Sequence, residues 1–437
     1  MNLKLNFSAR KLICFCLFTI LILAGNTDRT FAQESSSCIS CHLEEVDDDH
    51  TELVESFMGG VHQKRGISCV DCHGGDASAE DMDDAMDPDA GYNGAPERKD
   101  IPEFCARCHA DPGYMRGFNP NLSTDQYSKY LISGHGRLLK KSGDKKVAVC
   151  TSCHGVHGIL ASNDPLSPTF TLNVPYTCAN CHSDSVYMAG RDIPVTQLQE
   201  YESSVHGQAL LQKGDRAAPS CAGCHGSHEA RRPEPSGVAN TCAQCHNYVR
   251  ELFVSSPHKA AHEKHGYPEC EVCHGNHAIV KPTDSLLYSS SAGICADCHE
   301  NDSDGMRAAK EMRSSIDFLK AHIDSARNVI ELVRFYGMDT DDPEYQIRQA
   351  KNKLVQSRAL IHTFSPEKVA AVTQEGSLLA QEANAFGQDL LKQYGFRRKG
   401  FIFSVIVILA LSFLLTIKIR SLNNNGDSIQ IDQNRKN

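Results

Sequence analysis

Hydrophobic and polar positions divide the chain into regions with different periodicities. From 306 onward, apolar residues recur at heptad spacing, at Ile316, Leu319, Ile323, Ala326, Ile330 and Val333. A second apolar stripe runs from Ile347 to Ile361. A third follows Pro366, a residue suited to the first turn of a helix, and its seam includes Val369 and Phe386. Short turns between the three stripes predict an antiparallel three-helix bundle over 303–399.

Two unbroken apolar runs lie near the ends of the chain. Gly400–Ile417 is long enough for one transmembrane helix, and the polar tail at 418–437 is expected to be disordered. The N-terminal run Leu12–Ala24 is shorter and follows basic residues, which predicts a secretory signal peptide over 1–32. An uncleaved N-terminal anchor is the alternative.

Residues 33–302 lack regular periodicity but repeat one motif nine times, two cysteines followed directly by histidine. The motif residues are Cys38, Cys41, His42; Cys69, Cys72, His73; Cys105, Cys108, His109; Cys150, Cys153, His154; Cys178, Cys181, His182; Cys221, Cys224, His225; Cys242, Cys245, His246; Cys270, Cys273, His274; and Cys295, Cys298, His299. Thiols at this spacing match the two vinyl groups of one haem, and the histidine can bind its iron. The sequence therefore predicts nine covalent c-type haems in a mainly α region with little regular structure.

Other sites also use closely spaced cysteines, namely zinc ribbons, redox-active thiol pairs and disulfides. None of these requires a histidine directly after the second cysteine, yet all nine motifs have one. The two remaining cysteines, Cys14 and Cys16, lie in the predicted signal peptide and are lost with it. The haem interpretation accounts for every motif.

The motifs form four pairs and a final half-pair. In each pair the second motif histidine is followed by glycine, whereas the first is not. One further histidine lies between the members of each pair, and we call these the linking histidines: His62, His135, His206 and His258. Three others lie three residues after a second member, and we call these the trailing histidines: His157, His228 and His277. We expect both sets to occupy second axial positions of haem irons.

The second axial ligand of one iron is left open by this pattern. His322 follows the last motif at the spacing of a linking histidine and is assigned to that role, which gives eight candidates for nine irons. The second motif reads Gly75-Asp76 where a trailing histidine is expected. Met115 and Met188 are possible ligands, although such methionines more often pack on a porphyrin. The candidates for the ninth position are His50, His262, His265 and His362.

Charge and composition narrow the function classes. The 437-residue chain has a formal net charge of −10, only 7% aromatic residues and no Trp, and haem propionates would add negative charge. Such a chain is poorly suited to nucleic acid, so redox proteins are the expected partners. The acidic run Asp76–Asp89 lacks the ligand alternation of a calcium loop and predicts a solvated loop.

These motifs resemble those of the bacterial multihaem c-type cytochromes with paired haems, in their membrane-anchored form. The resemblance covers about 38–400 and rests on the nine motifs, the Ser-x-His-Gly elements at His135 and His206, and the Cys-His-Gly-x-His elements at His154, His225 and His274. It implies electron transfer between a membrane quinol-oxidising complex, with a cytochrome b-type subunit, and other c-type cytochromes or periplasmic or extracellular acceptors.

Two further expectations follow. Covalent haem attachment occurs outside the bacterial cytoplasm, so the haem region should face the periplasm from a single-pass anchor in the cell membrane. Iron held by two histidines has no open position, which favours an electron-transfer protein over an enzyme. The alternative is a multihaem reductase of nitrite, hydroxylamine or sulfur oxyanions, with one open haem site.

The first testable prediction concerns cofactor content. Intact-mass measurement of the purified protein should show nine covalent haems and no free thiol, because the motifs use all cysteines except Cys14 and Cys16. A count below nine would contradict the motif interpretation. Nine haems together with two free thiols would instead show that the N-terminal run is retained.

Overall fold

The structure, a computed structural model, describes residues 36–44, 48–233, 237–287 and 293–433. The predicted signal peptide lies outside these ranges. No strand occurs among the described residues, so the expected mainly helical class is confirmed. The helices that precede the bundle are short: Ser37–Glu44, Asp48–Gly59, Cys69–His73, Met82–Ala85, Ile101–His109, Pro112–Phe118, Gln126–Ile132, Gly134–Ser142, Cys150–His154, Val174–His182, Gln197–Ser203, Val205–Gly207, Cys221–His225, Val238–Val254, Pro257–His265 and Glu271–His274. Single 3-10 turns occur at Gln63–Arg65, Pro88–Ala90, Asp284–Leu287, Ile294–Asp297 and Ile361–Thr363, and a π-turn occurs at Gln208–Gln212.

A glycine ends the short helix that carries the second motif of each pair. Three of these motifs, at His73, His154 and His225, each occupy a single five-residue helix. The glycine after the second-member histidine has a positive φ in all four pairs: 71° at Gly74, 77° at Gly155, 82° at Gly226 and 73° at Gly275. Glycine adopts this conformation without steric cost, so the chain turns sharply there.

The chain divides into two compact units. The first comprises Met1–Arg232 with His277–Ile279, and the second comprises Pro233–Asn276 with Val280–Asn437. Six haem motifs belong to the first unit, and three belong to the second, which also contains the long helices.

Three helices form the bundle in the second unit: Asp304–Phe335, Asp341–Leu360 and Pro366–Gln433. Each packs against the other two. The six heptad positions predicted for the first helix are all buried. Burying a side chain such as Leu319 or Ile323 contributes about 1.5–3 kcal/mol, so this stripe stabilises the helix mainly through packing.

The predicted seam of the third helix is partly wrong. Phe386 is 44% exposed, although the pattern placed it in the seam. The neighbouring Gly387 lies there instead, and an added β-carbon would come within 2.7 Å of both Val329 and Ile330. Ala383 is fully buried in the same seam. The first and third helices therefore approach too closely for a large side chain at this position.

The third helix continues without interruption through the predicted membrane span. Among the described residues, this is the one helix with an apolar stretch long enough to cross a membrane. The helix ends at Gln433, so the tail expected to be disordered is helical for most of its length. No proline follows Pro366, and extending an existing helix requires no new nucleus.

One buried carboxylate ties the bundle to the haem-motif segment of the second unit. Asp284 accepts two hydrogen bonds of 2.8 Å from Arg358 and one of 3.1 Å from Lys320. The hydrogen bonds from Arg358 and Lys320 lower the pKa of Asp284 against the opposing effect of burial. Leu287 in the same turn joins a hydrophobic cluster with Met312, Ile316 and Val369. This connection positions the bundle against the last motifs.

Candidate haem sites

The motif cysteines lie on or beside helical turns that bring their two thiols to the same side. None of the eighteen forms a disulfide. No group of three or more His, Cys, Asp and Glu side chains within the described ranges is arranged to hold a metal ion.

Thiols from the two members of a pair lie next to each other. Cys105 is hydrogen-bonded to Cys150, which raises the pKa of Cys105 and lowers that of Cys150. A hydrogen bond between Cys178 and Cys221 likewise raises the pKa of Cys178 and lowers that of Cys221. Cys242 and Cys270 are also hydrogen-bonded, but there the pKa of Cys242 is lowered and that of Cys270 is raised. Two groups attached at these thiols would lie side by side.

Successive pairs are also close to each other within each unit. Burial raises the pKa of Cys153 to about 11, and the nearby Cys178 and Cys181 of the next pair contribute to the increase. The pKa of Cys72 is likewise raised by burial and by the nearby Cys108, and the pKa of Cys273 by burial and by the nearby Cys295. The motifs of a unit therefore follow one another in space in their sequence order.

Within the described residues, seven motif histidines are seen to face a second histidine, with ring centroids 5.8–6.2 Å apart. The pairs are His62 with His109, His73 with His157, His135 with His182, His154 with His228, His225 with His277, His258 with His299, and His274 with His362.

This spacing fits one iron between two imidazoles. A metal lies about 2 Å from an imidazole nitrogen, which is itself about 1 Å from its ring centre, so the two centroids should be about 6 Å apart. Ligation also requires neutral imidazole. Burial is the largest cause that lowers the pKa of both partners in several pairs, for example His62 with His109 and His274 with His362. Burial lowers the pKa of His258 to about 4.

The pairing follows a simple order. Each linking histidine seen in a pair faces the first member of the next pair, as His62 faces His109. Each trailing histidine faces the second member of the preceding pair, as His157 faces His73. Neighbouring pairs therefore exchange histidines in both directions.

One backbone hydrogen bond joins the two directions of exchange. The amide of Val61, next to linking His62, donates to the carbonyl of Ile159, two residues after trailing His157, at 2.7 Å. Equivalent bonds join Gly134 to Ala230 at 2.9 Å and Val205 to Ile279 at 2.7 Å. The linking segment of one pair and the trailing segment of the next are thus held in a fixed register.

The Ser-x-His-Gly element positions the linking histidine by local packing. Ser204 begins the short helix Val205–Gly207, and its hydroxyl accepts a hydrogen bond of 3.0 Å from the Gly207 amide. The Tyr201 hydroxyl donates to the Pro219 carbonyl at 2.8 Å, just before the second member of the pair. Ser133, Tyr130 and Gly136 make the equivalent contacts in the preceding repeat.

The structure places His322, which the spacing assigned as a ligand, among side chains of the bundle. Its ring lies 4.3 Å from that of Phe318, and its Nε2 is 3.3 Å from Gln381 in the bundle. A linking histidine serves the pair that follows, and no pair follows the last motif. His299 instead faces His258, the linking histidine of the fourth pair.

His362 occupies the position that spacing alone left open. It lies in the turn Ile361–Thr363 between the second and third bundle helices and faces His274. The last half-pair has no second member and no trailing histidine, and His362 takes that role. Two other candidates are not seen to face a motif histidine within the described residues. His262 is buried against Phe253, 6.2 Å from His258 on the same helix, with its Nδ1 3.2 Å from the Pro268 carbonyl oxygen. His265 stacks on Tyr267 at the surface.

The two directions of exchange differ in ring geometry. The planes of linking histidines cross those of their partners at 65°, 51° and 75°. Trailing histidines and His362 lie closer to parallel with theirs, at 34°, 8°, 22° and 27°. First and second members therefore present two kinds of site.

Comparisons with known proteins agree with this geometry. The family model described as cytochrome c7 and related cytochrome c matches residues 166–247, and the model described as cytochrome c3 matches residues 215–300. The C-type polyheme cytochrome OmcC of Geobacter sulfurreducens is 26% identical over 166 residues. Together with the nine motifs, these matches support the identification of the chain as a multihaem c-type cytochrome with covalently bound haem c.

The similarity is local. The match to OmcC covers 34% of this cytochrome and 20% of that protein. No solved structure matches.

Three predicted site residues of this cytochrome remain. His206 lies in the short helix Val205–Gly207, with the same serine cap as His135. His246 lies at a kink within Val238–Val254, where its φ and ψ leave the helical range. His42 lies in the first described helix, Ser37–Glu44.

The second prediction tests the linking element. Replacing Gly207 with Ala would bring a β-carbon within 1.9 Å of the Tyr201 carbonyl oxygen, so the helix that carries His206 must move. We expect a loss of about 1–3 kcal/mol, as for other overpacked sites, measured by urea unfolding followed in the haem Soret band. Gly117→Ala has open space around it and is the control. Equal losses in the two variants would contradict the role of Gly207.

Proposed function

We propose that this protein is a membrane-anchored, nine-haem cytochrome that carries electrons between a quinol-oxidising membrane complex and periplasmic or extracellular acceptors. The histidine pairs at iron-spanning distance are the observation that carries the proposal. An iron between two imidazoles has no position left for a substrate, so it is suited to electron transfer.

The residues would divide the work of each site as follows. The two motif cysteines hold the porphyrin through thioethers, and the motif histidine provides the first axial ligand. The facing linking or trailing histidine would provide the second ligand. For His274, in the fourth pair, His362 of the bundle would provide it. His206 is included among these ligands because it lies at the same position in its pair as His135. A serine hydroxyl caps the helix that carries each of the two histidines. A haem held in this way supplies reversible one-electron oxidation and reduction of its iron.

The chain order defines the path that we propose for electrons. Cysteines of the two members lie together in a pair, and the second member lies beside the next pair. Each site would therefore have its sequence neighbours as its nearest redox neighbours. The covalent links keep these distances constant, which favours a chain of sites over a single reaction centre.

The membrane partner is inferred from the third bundle helix. Its apolar part is exposed over its whole length within this chain. A single helix cannot enclose a quinone, because such a site needs several helices around the ring. We propose that a cytochrome b-type subunit oxidises the quinol and that other c-type cytochromes accept the electrons. The haem units would lie on the periplasmic side.

A reductase of nitrite, hydroxylamine or sulfur oxyanions is the second candidate, because the spacing of the histidines leaves the second axial ligand of one iron unassigned. His50, in the helix Asp48–Gly59, is one candidate for that ligand.

The third prediction separates these two functions. Carbon monoxide binds ferrous haem only at an open axial position, so the fully reduced protein should not change its Soret spectrum under carbon monoxide. The protein should also lack reductase activity with nitrite or hydroxylamine. The electron-transfer proposal would be contradicted if the unaltered protein bound one equivalent of carbon monoxide and His50→Ala bound two. That result would support an open site at an iron other than the one that His50 serves.

The fourth prediction tests the ligand from the bundle. His362→Ala should convert one low-spin iron to high spin while the haem mass stays unchanged, because attachment depends on the cysteines. His322→Ala is the matched control, since His322 lies in the same bundle but contacts Phe318 and Gln381. Electron paramagnetic resonance would count the high-spin signal. The reverse result, with a high-spin iron only in His322→Ala, would restore the assignment based on spacing.

A further inference from the structure

The turn between the second and third bundle helices contacts two haem sites of the second unit. His362 in this turn faces His274. Two residues later, Phe364 lies with its ring centroid 3.7 Å from that of His258, the partner of His299. Phe364 has a φ of 51°, an uncommon conformation for a residue with a β-carbon. The chain thus adopts an unfavourable backbone angle at the residue that covers His258.

Aromatic and imidazole rings surround His258. Phe364 covers one side, and Phe253 lies 6.5 Å from Phe364 in an edge-on arrangement. His262, one helical turn further along, lies edge-on to both Phe253 and His258. The Nδ1 atom of His258 is fully buried and makes no hydrogen bond in the part of the chain that the structure describes.

Other histidines of the array have a partner at this atom. The Nδ1 atoms of His362, His73 and His225 lie 3.0, 2.8 and 2.9 Å from backbone carbonyls of Ala359, Gly94 and Arg231. An imidazole that binds metal through Nε2 donates from Nδ1, and such a hydrogen bond makes it a stronger ligand. His258 lacks this support, and Phe364 occupies the space next to it.

We propose that the site of His258 and His299 has a higher reduction potential than the neighbouring site of His274 and His362, and that Phe364 is the positioning residue that keeps it high. This inference rests on the axial-ligand assignment made above. A weaker imidazole donor stabilises ferric iron less than ferrous iron, so the potential rises. Exclusion of water by the aromatic rings acts in the same direction, because the ferric site has the larger charge.

Ring geometry supports the same conclusion. His258 and His299 cross at 75°, the largest angle among the seven pairs, whereas His362 and His274 meet at 27°. Crossed imidazoles donate into different iron orbitals and stabilise ferric iron less than parallel ones do. The two sites that the bundle turn contacts should therefore differ in reduction potential. Of the two, the haem held by His258 and His299 should be reduced first.

The fifth prediction uses two substitutions at Phe364. Asn tolerates a positive φ and offers an oxygen to the His258 Nδ1–H, so Phe364→Asn should lower the potential of one component in a spectroelectrochemical titration of the whole protein. Phe364→Leu cannot accept a hydrogen bond and should leave that component close to its original value. Haem mass and low-spin content should be unchanged in both. No shift in Phe364→Asn, or an equal shift in Phe364→Leu, would overturn the inference.

His258→Ala identifies the component and separates the two proposals. We expect one iron to become high spin and the component that Phe364→Asn shifts to be the one that changes. A high-spin iron with that component unaltered would refute the inference and leave the ligand assignment intact. A fully low-spin spectrum would instead refute the ligand assignment itself.

Discussion

Each iron in this array would need two imidazoles about 6 Å apart, and the chain meets that need by drawing them from different repeats. A linking histidine faces forward and a trailing histidine faces backward, so in each of the seven pairs described above the two histidines come from different parts of the array. The repeats consequently stabilise one another through the metal as well as through packing. The backbone hydrogen bonds from Val61, Gly134 and Val205 keep the two directions in register.

This exchange explains what happens at the ends of the array. The second motif has Gly75-Asp76 in place of a trailing histidine, and in this sequence no motif precedes the first pair. At the other end the final half-pair lacks a second member, and a bundle residue, His362, faces His274 instead. The bundle would therefore be more than a support for the haem units, because it would complete one of their sites.

The sequence predicted the motifs, the pairing and two sets of second histidines, since these depend on covalent chemistry and local spacing. It did not indicate which site each histidine faces, because that depends on how repeats pack. His322 was assigned from spacing alone, and that spacing describes ligands for a following pair. The vacant trailing slot after the last motif was the signal that could have pointed to His362. Phe386 was misplaced for a related reason, since heptad patterns favour large residues where this bundle needs Gly387.

The uninterrupted third helix has a geometric consequence for electron delivery. His362 precedes its first residue, Pro366, whereas the predicted span begins at Gly400. At 1.5 Å per residue, the intervening helix is about 50 Å long. In a membrane-anchored protein with this helix perpendicular to the bilayer, the sites at His274 and His299 would lie about 50 Å from the membrane surface. A donor confined to the lipid could not reach them, so any donor to these two sites must extend its own redox centre well into the aqueous compartment.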